Sequence, residues 1–137
     1  VRSHRDLNTL RHIVTTVRGT TAEIAVRKQI PKCRLRCFET GKEAAFRVLA
    51  GEASAFVYDF PYCARFMGLY GKDKLIFLDK PFTYEPLGWA VPKGDPDFLN
   101  WLNHFLSQIS NDGRLDMFLN RWIKDVSWYY RFEEKRR

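Results

Sequence analysis

The fold of this chain is set by residues 13–23, which read Ile13-Val14-Thr15-Thr16-Val17-Arg18-Gly19-Thr20-Thr21-Ala22-Glu23. The β-branched first half predicts a β-strand, and residues 22–28 predict the helix that follows it. Between them, Gly19 can adopt the tight turn that such a junction needs. Thr20 and Glu23 have the spacing of a capping box, so we expect Thr20 to be the N-cap of the helix.

The beginning of this helix is suited to holding a small anion. The first N–H groups of a helix have no intrahelical acceptor and carry a partial positive charge, which favours a carboxylate. The same pattern also describes an ordinary capped helix, and the carboxylate of Glu23 can occupy the same donors. The local sequence leaves both interpretations open.

The composition is that of a globular domain. A chain of 137 residues corresponds to about one domain and can bury roughly two-thirds of its unfolded surface. Its 45% hydrophobic and 15% aromatic residues exclude a disordered chain. No apolar run approaches the ~20 residues that span a bilayer, and the charged residues 1–11 do not resemble a signal peptide. We therefore expect either a cytoplasmic protein or a chain that begins downstream of its targeting segment.

The positive net charge of +7 raises the question of nucleic-acid binding. The basic residues form three clusters, in residues 2–11, 27–36 and 131–137. None has the interleaved aromatic side chains of a single-strand binder, and no nucleic-acid motif is present. The clusters are interpreted as solvated surface, and no nucleic-acid partner is expected.

The cysteines do not predict a metal site or a cofactor. Cys33 and Cys37 lie on one face of a predicted strand, ~13 Å apart, beyond the ~7 Å limit for a disulfide. Cys63 could pair with either of them, which would leave one thiol over. With no CxxC pair and no histidine cluster, we expect three small buried hydrophobic side chains instead of a zinc site.

The first half of the chain alternates strands and helices. Residues 33–38 predict a second strand, Thr40 and Glu43 repeat the capping-box spacing before a helix over 44–50, and residues 53–58 predict a third strand. This order predicts an α/β fold with a mostly parallel sheet flanked by helices.

The second half is expected to be mainly helical. Asp95 and Pro96 predict the cap and first residue of a helix whose apolar side chains share one face. The full prediction is a helix over 62–70, strands over 75–78 and 87–91 separated by a turn-rich crossing at 81–86, the helix that begins at Pro96 and is broken by Asn111-Asp112-Gly113, a helix over 114–124, and a charged aromatic tail over 125–137.

A second polar group, Asp59, comes directly after the third predicted strand. Ligands bind at the carboxyl ends of the strands in such sheets, and both Asp59 and the Gly19-Thr20-Thr21 turn lie at such ends. An aspartate before a proline-containing turn is also a common helix cap. Together the two groups would suit a zwitterion, with its carboxylate at the turn and its ammonium at Asp59.

The chain resembles the polar amino-acid-binding periplasmic proteins of bacterial ABC transporters, which have a two-lobed type II "Venus flytrap" fold. The matching stretches occur in the family's order and are residues 19–23, residues 43–51 leading to Asp59, residues 85–95, the pair Asp112-Gly113, and Trp122. The family usually has Asp-Ala where this chain has Ser54-Ala55, a structural position.

The resemblance implies a ligand site built from five residues. The ligand's α-carboxylate would bind main-chain N–H groups and a threonine hydroxyl of Gly19, Thr20 and Thr21, its α-ammonium would bind Asp59, and a main-chain group of Val17 would line the site. It further implies that residues 1–86 are the second lobe, that residues 87–124 return toward a first lobe, and that the targeting segment is absent from this chain.

The function implied by the resemblance is extracytoplasmic binding of an amino acid for ABC-transporter uptake, without catalysis and without a cofactor. The expected partners are the ligand and the transporter's membrane subunits, and the exposed C-terminal helices are expected to pair copies of the chain. One alternative is the sensing domain of a membrane receptor or kinase. A second is a dehydratase of cyclohexadienyl substrates, in which Asp59 or Glu85 would be the acid.

Overall fold

The structure, a computed structural model, describes residues 1–71, 73–78, 80 and 83–125. The chain forms two compact units, Val1–Tyr84 and Glu85–Arg137. The first unit contains strands β1 (Ile13–Val17), β2 (Arg34–Phe38) and β3 (Ala55–Phe56), and helices α1 (Thr21–Gln29), α2 (Gly41–Leu49) and α3 (Phe60–Phe66). A 3₁₀ helix, His4–Leu7, precedes β1, and a π-helical turn, Met67–Gly71, continues α3.

The three strands form one parallel sheet in the order β2-β1-β3. Val14 of β1 lies opposite Leu35 of β2 on one side and opposite Ala55 of β3 on the other. Hydrogen bonds from Ser54 N–H to the Ile13 carbonyl and from Val57 N–H to the Thr15 carbonyl extend the β3 pairing at both ends. The predicted α/β fold with a parallel sheet is confirmed.

Helices α1 and α2 lie on opposite faces of this sheet. Val14 belongs to the buried core cluster with Val26 and Ile30 of α1, whereas the hydroxyl of the next residue, Thr15, donates to the carbonyl of Ala44 in α2 at 2.9 Å. Because successive side chains of a strand point to opposite faces, the two contacts place the two helices on the two faces. The sheet is therefore covered on both sides, as expected for parallel strands.

Two threonines are buried in the central strand. Thr15 and Thr16 are fully buried. The Thr15 hydroxyl bonds the Ala44 carbonyl, and the Thr16 hydroxyl donates to the carbonyl of Val57 at 2.8 Å. Since a buried hydroxyl without a partner is costly, these bonds explain how β1 carries polar residues inside the core.

The second unit contains α4 (Pro96–Asn111) and α5 (Arg114–Leu119), and a π-helical turn, Asn120–Lys124, continues α5. Asp95 caps α4 by accepting from the N–H of Phe98 at 2.9 Å, and Gly113 separates the helices with a left-handed φ of 83°. The predicted helix boundaries and cap are confirmed here. Of the apolar side chains of these helices, Ile109 is buried, whereas several others are exposed, among them Phe98, Leu99, Phe118, Leu119 and Trp122.

Two predicted strands are wrong. Residues 75–78 and 87–91 are irregular, although both are apolar. A strand also needs a neighbouring backbone to pair with, and within the described ranges the sheet has no strand beyond β3 on that side. Leu87 and Trp89 are exposed, which fits a segment without a sheet partner.

The cysteines are less buried than expected. Cys33, Cys37 and Cys63 are free thiols of intermediate exposure. For Cys37 the reason is its place in β2, the outer strand, which among the described residues has a neighbouring strand on one side only. Burial raises the pKa of Cys63 to about 11.

No helix among the described residues is long and apolar enough to span a membrane. The predictions for the tail beyond Asp125 and for residues 81 and 82 lie outside the described residues.

Candidate functional site

The Gly19–Thr21 turn and Asp59 both lie at the carboxyl edge of the sheet. The turn follows β1 and Asp59 follows β3, and these strands are adjacent and parallel. From β1 the chain passes to β2 on one side and then to β3 on the other. Such a reversal in strand order opens a crevice between the two loops, which is the usual ligand position in open α/β sheets.

Gly19 makes the turn between β1 and α1 in a left-handed conformation, with φ of 72°. This conformation is readily accessible only to glycine. Its N–H donates to the Oε2 atom of Glu23 at 2.8 Å. The carboxylate of Glu23 therefore occupies one of the donors that the resemblance assigns to the ligand.

Thr20 is the N-cap residue of α1, but the predicted capping box does not form. Its backbone is extended, as an N-cap requires, and its side chain makes no capping bond. The hydroxyl instead donates to the carbonyl of Val17 at 2.7 Å. The main-chain carbonyl of Val17 and the hydroxyl proton of Thr20 are thus engaged with each other, and Glu23 bonds Gly19 where a capping box would have it bond Thr20.

Helix α1 is long enough for its N-terminus to carry the partial positive charge of a helix dipole. Helix α1 has nine residues, and its first residue, Thr21, is exposed. The N–H groups of Glu23 and Ile24 both donate to the Thr20 carbonyl, at 3.1 and 3.4 Å. The first N–H groups of a helix in general lack an intrahelical acceptor, and a helix beginning therefore favours an anion.

Arg27 and Gly19 keep the Glu23 carboxylate ionised. Hydrogen bonds from the Arg27 guanidinium, and secondarily from the Gly19 N–H, lower the pKa of Glu23 to about 2. The Nη2 and Nε atoms of Arg27 lie 2.7 and 3.2 Å from Oε1 of Glu23. Sequence reasoning interpreted Glu23 only as a capping residue. The arginine four residues later could have predicted this ion pair, because residues four apart lie side by side on a helix.

Asp59 has the backbone position of an N-cap without the side-chain role. It precedes α3, its carbonyl accepts from the N–H of Cys63 at 3.0 Å, and its side chain makes no capping bond. The carboxylate is exposed. Asp59 is therefore the N-cap residue of α3, as the alternative interpretation expected, but its side chain makes no capping bond.

Aromatic rings lie beside Asp59 in the chain, and sequence reasoning did not single them out. Tyr58 contacts Tyr62 edge-on at 5.3 Å between ring centroids, and Phe56 lies 5.8 Å from Tyr58 and 5.9 Å from Tyr62. The ring of Tyr62 also covers the start of α2, where a Cβ on Gly41 would lie 2.9 Å from it. This packing fixes the segment that carries Asp59.

No family model matches the chain, but individual proteins do. It is 33% identical to the ABC transporter glutamine-binding protein GlnH of Bacillus subtilis (strain 168) over 113 residues, which are 82% of this chain and 40% of that protein. A putative binding component of an ABC transporter from Wolinella succinogenes DSM 1740, solved in complex with lysine, is 44% identical with a TM-score of 0.77, and the match covers 95% of this chain and 56% of that one.

A third similar protein is an ancestral cationic amino acid solute-binding protein, 40% identical with a TM-score of 0.76 over 90% of this chain and 52% of that one. The chain thus spans about half the length of the proteins it matches. The parallel sheet with helices on both faces agrees with part of their fold. In sequence and fold the chain corresponds to part of the amino-acid-binding proteins of ABC transporters, and it has part of their type II periplasmic-binding-protein fold.

Proposed function

We propose that the protein containing this chain binds an amino acid outside the cytoplasm for uptake by an ABC transporter. The observation that carries the proposal is the placement of the α1 N-terminus and Asp59 after two adjacent parallel strands, on either side of the reversal in strand order. The amino acid would place its α-carboxylate at the helix end and its α-ammonium at Asp59. The opposite charges of these two groups match those of a zwitterion.

Main-chain N–H groups are the proposed donors to the ligand carboxylate at the helix end. Because Gly19 donates to Glu23 and the Thr20 hydroxyl donates to Val17, the carboxylate would use main-chain N–H groups of the first turn of α1. Thr21, at the first helical position, would lie nearest to it, and Val17 would act through its bond to Thr20. In the proposed site Thr21 and Asp59 thus have the roles that the resemblance implies, whereas Gly19, Thr20 and Val17 shape the turn.

The similar proteins suggest the first ligand to test. The Wolinella succinogenes structure holds lysine at 44% identity, so L-lysine is the first probe and L-glutamine the second, after the Bacillus subtilis glutamine-binding protein. Binding would close two lobes around the ligand by a hinge motion. The transporter's membrane subunits are the proposed partners, and pairing of copies through α4 and α5 stays a prediction.

We propose no catalysis. Asp59 could serve as an acid, but a dehydratase needs a second group that takes part in proton transfer. The nearest ionisable groups along the chain are phenols and a thiol, and burial raises the pKa of Tyr62 and of Cys63, so both stay neutral near pH 7. Release of phenylpyruvate from prephenate by the full-length gene product would contradict this part of the proposal.

The proposal is tested by thermal shift of the full-length gene product with each standard amino acid, beginning with L-lysine. A ligand at ~100 times its Kd should add ~2.7 kcal/mol to the free energy of unfolding. The Asp59→Ala variant should lose the shift, because the ammonium loses its counter-charge. The Asp97→Ala variant, which removes an exposed aspartate from the second unit, should keep it.

Two results would contradict the proposal. If no standard amino acid gives a shift, amino-acid binding is wrong. If a shift occurs and is undiminished in Asp59→Ala, the ammonium binds elsewhere and Asp59 leaves the site.

A further inference from the structure

The carboxylate of Glu23 divides its two oxygens between two different partners. Oε2 accepts from the main-chain N–H of Gly19 at 2.8 Å, and Oε1 accepts from Nη2 and Nε of Arg27 at 2.7 and 3.2 Å. The Glu23 side chain is 18% exposed, compared with 64% for Arg27. Glu23 is therefore packed against the turn, whereas Arg27 approaches it from solvent.

The bond to Gly19 restricts a residue that is otherwise free to move. Glycine visits left- and right-handed conformations with similar ease, so its position in the turn is not fixed by its own sterics. A hydrogen bond from a main-chain N–H to a carboxylate is charge-assisted and stronger than a neutral one. Glu23 thus holds the backbone that leads into the first turn of α1.

The same carboxylate creates an electrostatic problem for the proposed site. Its negative charge lies within one helical turn of the end at which a ligand carboxylate would bind, and like charges at that range repel. Arg27 offsets this repulsion, since its guanidinium contacts the oxygen that faces away from Gly19. Together, Glu23 accepts the hydrogen bond from the Gly19 N–H, and Arg27 neutralises the charge of the Glu23 carboxylate.

We infer that Glu23 and Arg27 are positioning residues for ligand binding: Glu23 fixes the Gly19 turn through its side-chain oxygen, and Arg27 cancels the charge that this requires. The inference rests on the proposed function, because it assumes that a carboxylate binds at the α1 end. It adds two residues that do not touch the ligand.

A second helix of the chain supplies a matched control. Helix α2 begins with the same spacing, Thr40, Glu43 and Arg47, but there the Thr40 hydroxyl accepts from the Glu43 N–H, and the Glu43 and Arg47 side chains are 3.8 Å apart. Glu43→Ala removes a comparable carboxylate from the beginning of a helix that follows β2. This helix beginning is outside the proposed site, which lies after β1 and β3.

The experiment measures the Kd of L-lysine, and of its α-carboxamide L-lysinamide, by titration calorimetry on the full-length gene product. If lysine gives no thermal shift, the standard amino acid with the largest shift and its amide replace the pair. Glu23→Ala should weaken lysine binding about tenfold, because the turn loses its charge-assisted bond. Glu23→Gln, whose amide oxygen can still accept from Gly19, should stay within about threefold of the unsubstituted protein, and Glu43→Ala should leave Kd unchanged.

Arg27→Ala separates charge cancellation from a purely structural role. It should weaken lysine binding about threefold, since a solvent-exposed pair contributes modestly, and should leave lysinamide binding unchanged. In the Glu23→Gln background the Arg27→Ala effect should disappear. Glu23→Gln also keeps the test valid if Glu23→Ala does not fold.

The possible failures are distinct. Equal lysine binding by Glu23→Ala and the unsubstituted protein, or equal weakening by Glu23→Gln and Glu23→Ala, overturns the role of Glu23. Equal weakening of lysine and lysinamide by Arg27→Ala overturns the role of Arg27. If the unsubstituted protein binds no amino acid, the proposed function itself fails, and this inference fails with it.

Discussion

Helices α1 and α2 begin with the same side chains at the same spacing and yet begin differently. Thr20, Glu23 and Arg27 in the first correspond to Thr40, Glu43 and Arg47 in the second. In α2 the threonine hydroxyl accepts from the glutamate N–H at 3.2 Å. In α1 the threonine hydroxyl donates backward to Val17, and the glutamate carboxylate bonds the preceding glycine.

The difference comes from the residue before each threonine. Gly19 is left-handed and turns its N–H toward the helix, where it competes for the Glu23 carboxylate. Glu39, before Thr40, pairs instead with Arg18 at 2.9 Å. A capping-box pattern therefore predicts a helix beginning reliably but does not determine its hydrogen bonds when a left-handed glycine precedes it.

The largest expected effect in this comparison is that of Gly19→Ala. An alanine at φ of 72° should lower the free energy of unfolding by about 1–2 kcal/mol, because its Cβ approaches the following carbonyl. Gly88→Ala is the control, since no atom lies within 4 Å of its added Cβ and its φ is not left-handed. Urea unfolding followed by circular dichroism gives both values, and equal stability of the two variants would contradict a strained turn at residue 19.

The comparison also shows how far sequence reasoning reaches. The strand–helix order through β3 followed from β-branched runs, capping residues and breakers, because these act locally. The strands predicted at residues 75–78 and 87–91 failed, because apolar character does not supply a pairing partner. In the second unit, the helical period of α4 was correct, whereas the exposure of Leu99 and Phe98 depends on what covers the helix, and this is not local information.

The candidate site was partly accessible in the same way. Gly19 and Asp59 could be placed at strand ends from the alternation of elements alone, and topology then brings β1 and β3 side by side. The hydrogen-bond partners of Thr20 and Glu23 could not be predicted from the sequence, because each side chain has two acceptable partners within a few residues. Three-dimensional context at Gly19 decides between them.

The second prediction concerns the two threonines. Thr40→Ala should lower the free energy of unfolding by about 1 kcal/mol, the usual cost of losing an N-cap side chain, and should accelerate amide exchange at Glu43, whose N–H loses its acceptor. Thr20→Ala should leave exchange at Glu23 unchanged, because that N–H donates to the Thr20 main-chain carbonyl at 3.1 Å. Residue-resolved hydrogen exchange by NMR tests this, and equal acceleration at both amides would show that the two beginnings are capped alike.

The smallest expected effect is a pH dependence of stability that arises from Glu23 in α1. The pKa of Glu23 is about 2, lowered from 4.5 by the hydrogen bonds from Arg27 and Gly19. A carboxyl whose pKa is depressed on folding stabilises the folded state above its unfolded pKa and loses that contribution as pH falls through the folded value. Its other ionisable neighbour is the Cys37 thiol of β2, whose pKa is raised mainly by burial, so it stays neutral in acid.

The stability advantage of the unsubstituted protein over Glu23→Gln should therefore be constant above about pH 5 and shrink toward zero between about pH 4.5 and 2. The effect is small because Arg27 is solvent-exposed, where ion pairs contribute little. Taking the difference in Tm between the two proteins at each pH cancels the other carboxyls with lowered pKa, Asp6 and Asp112. A difference in Tm that does not change between pH 6 and pH 2 would mean that Glu23 holds the Gly19 turn without its charge, which would remove the need for Arg27 beside it.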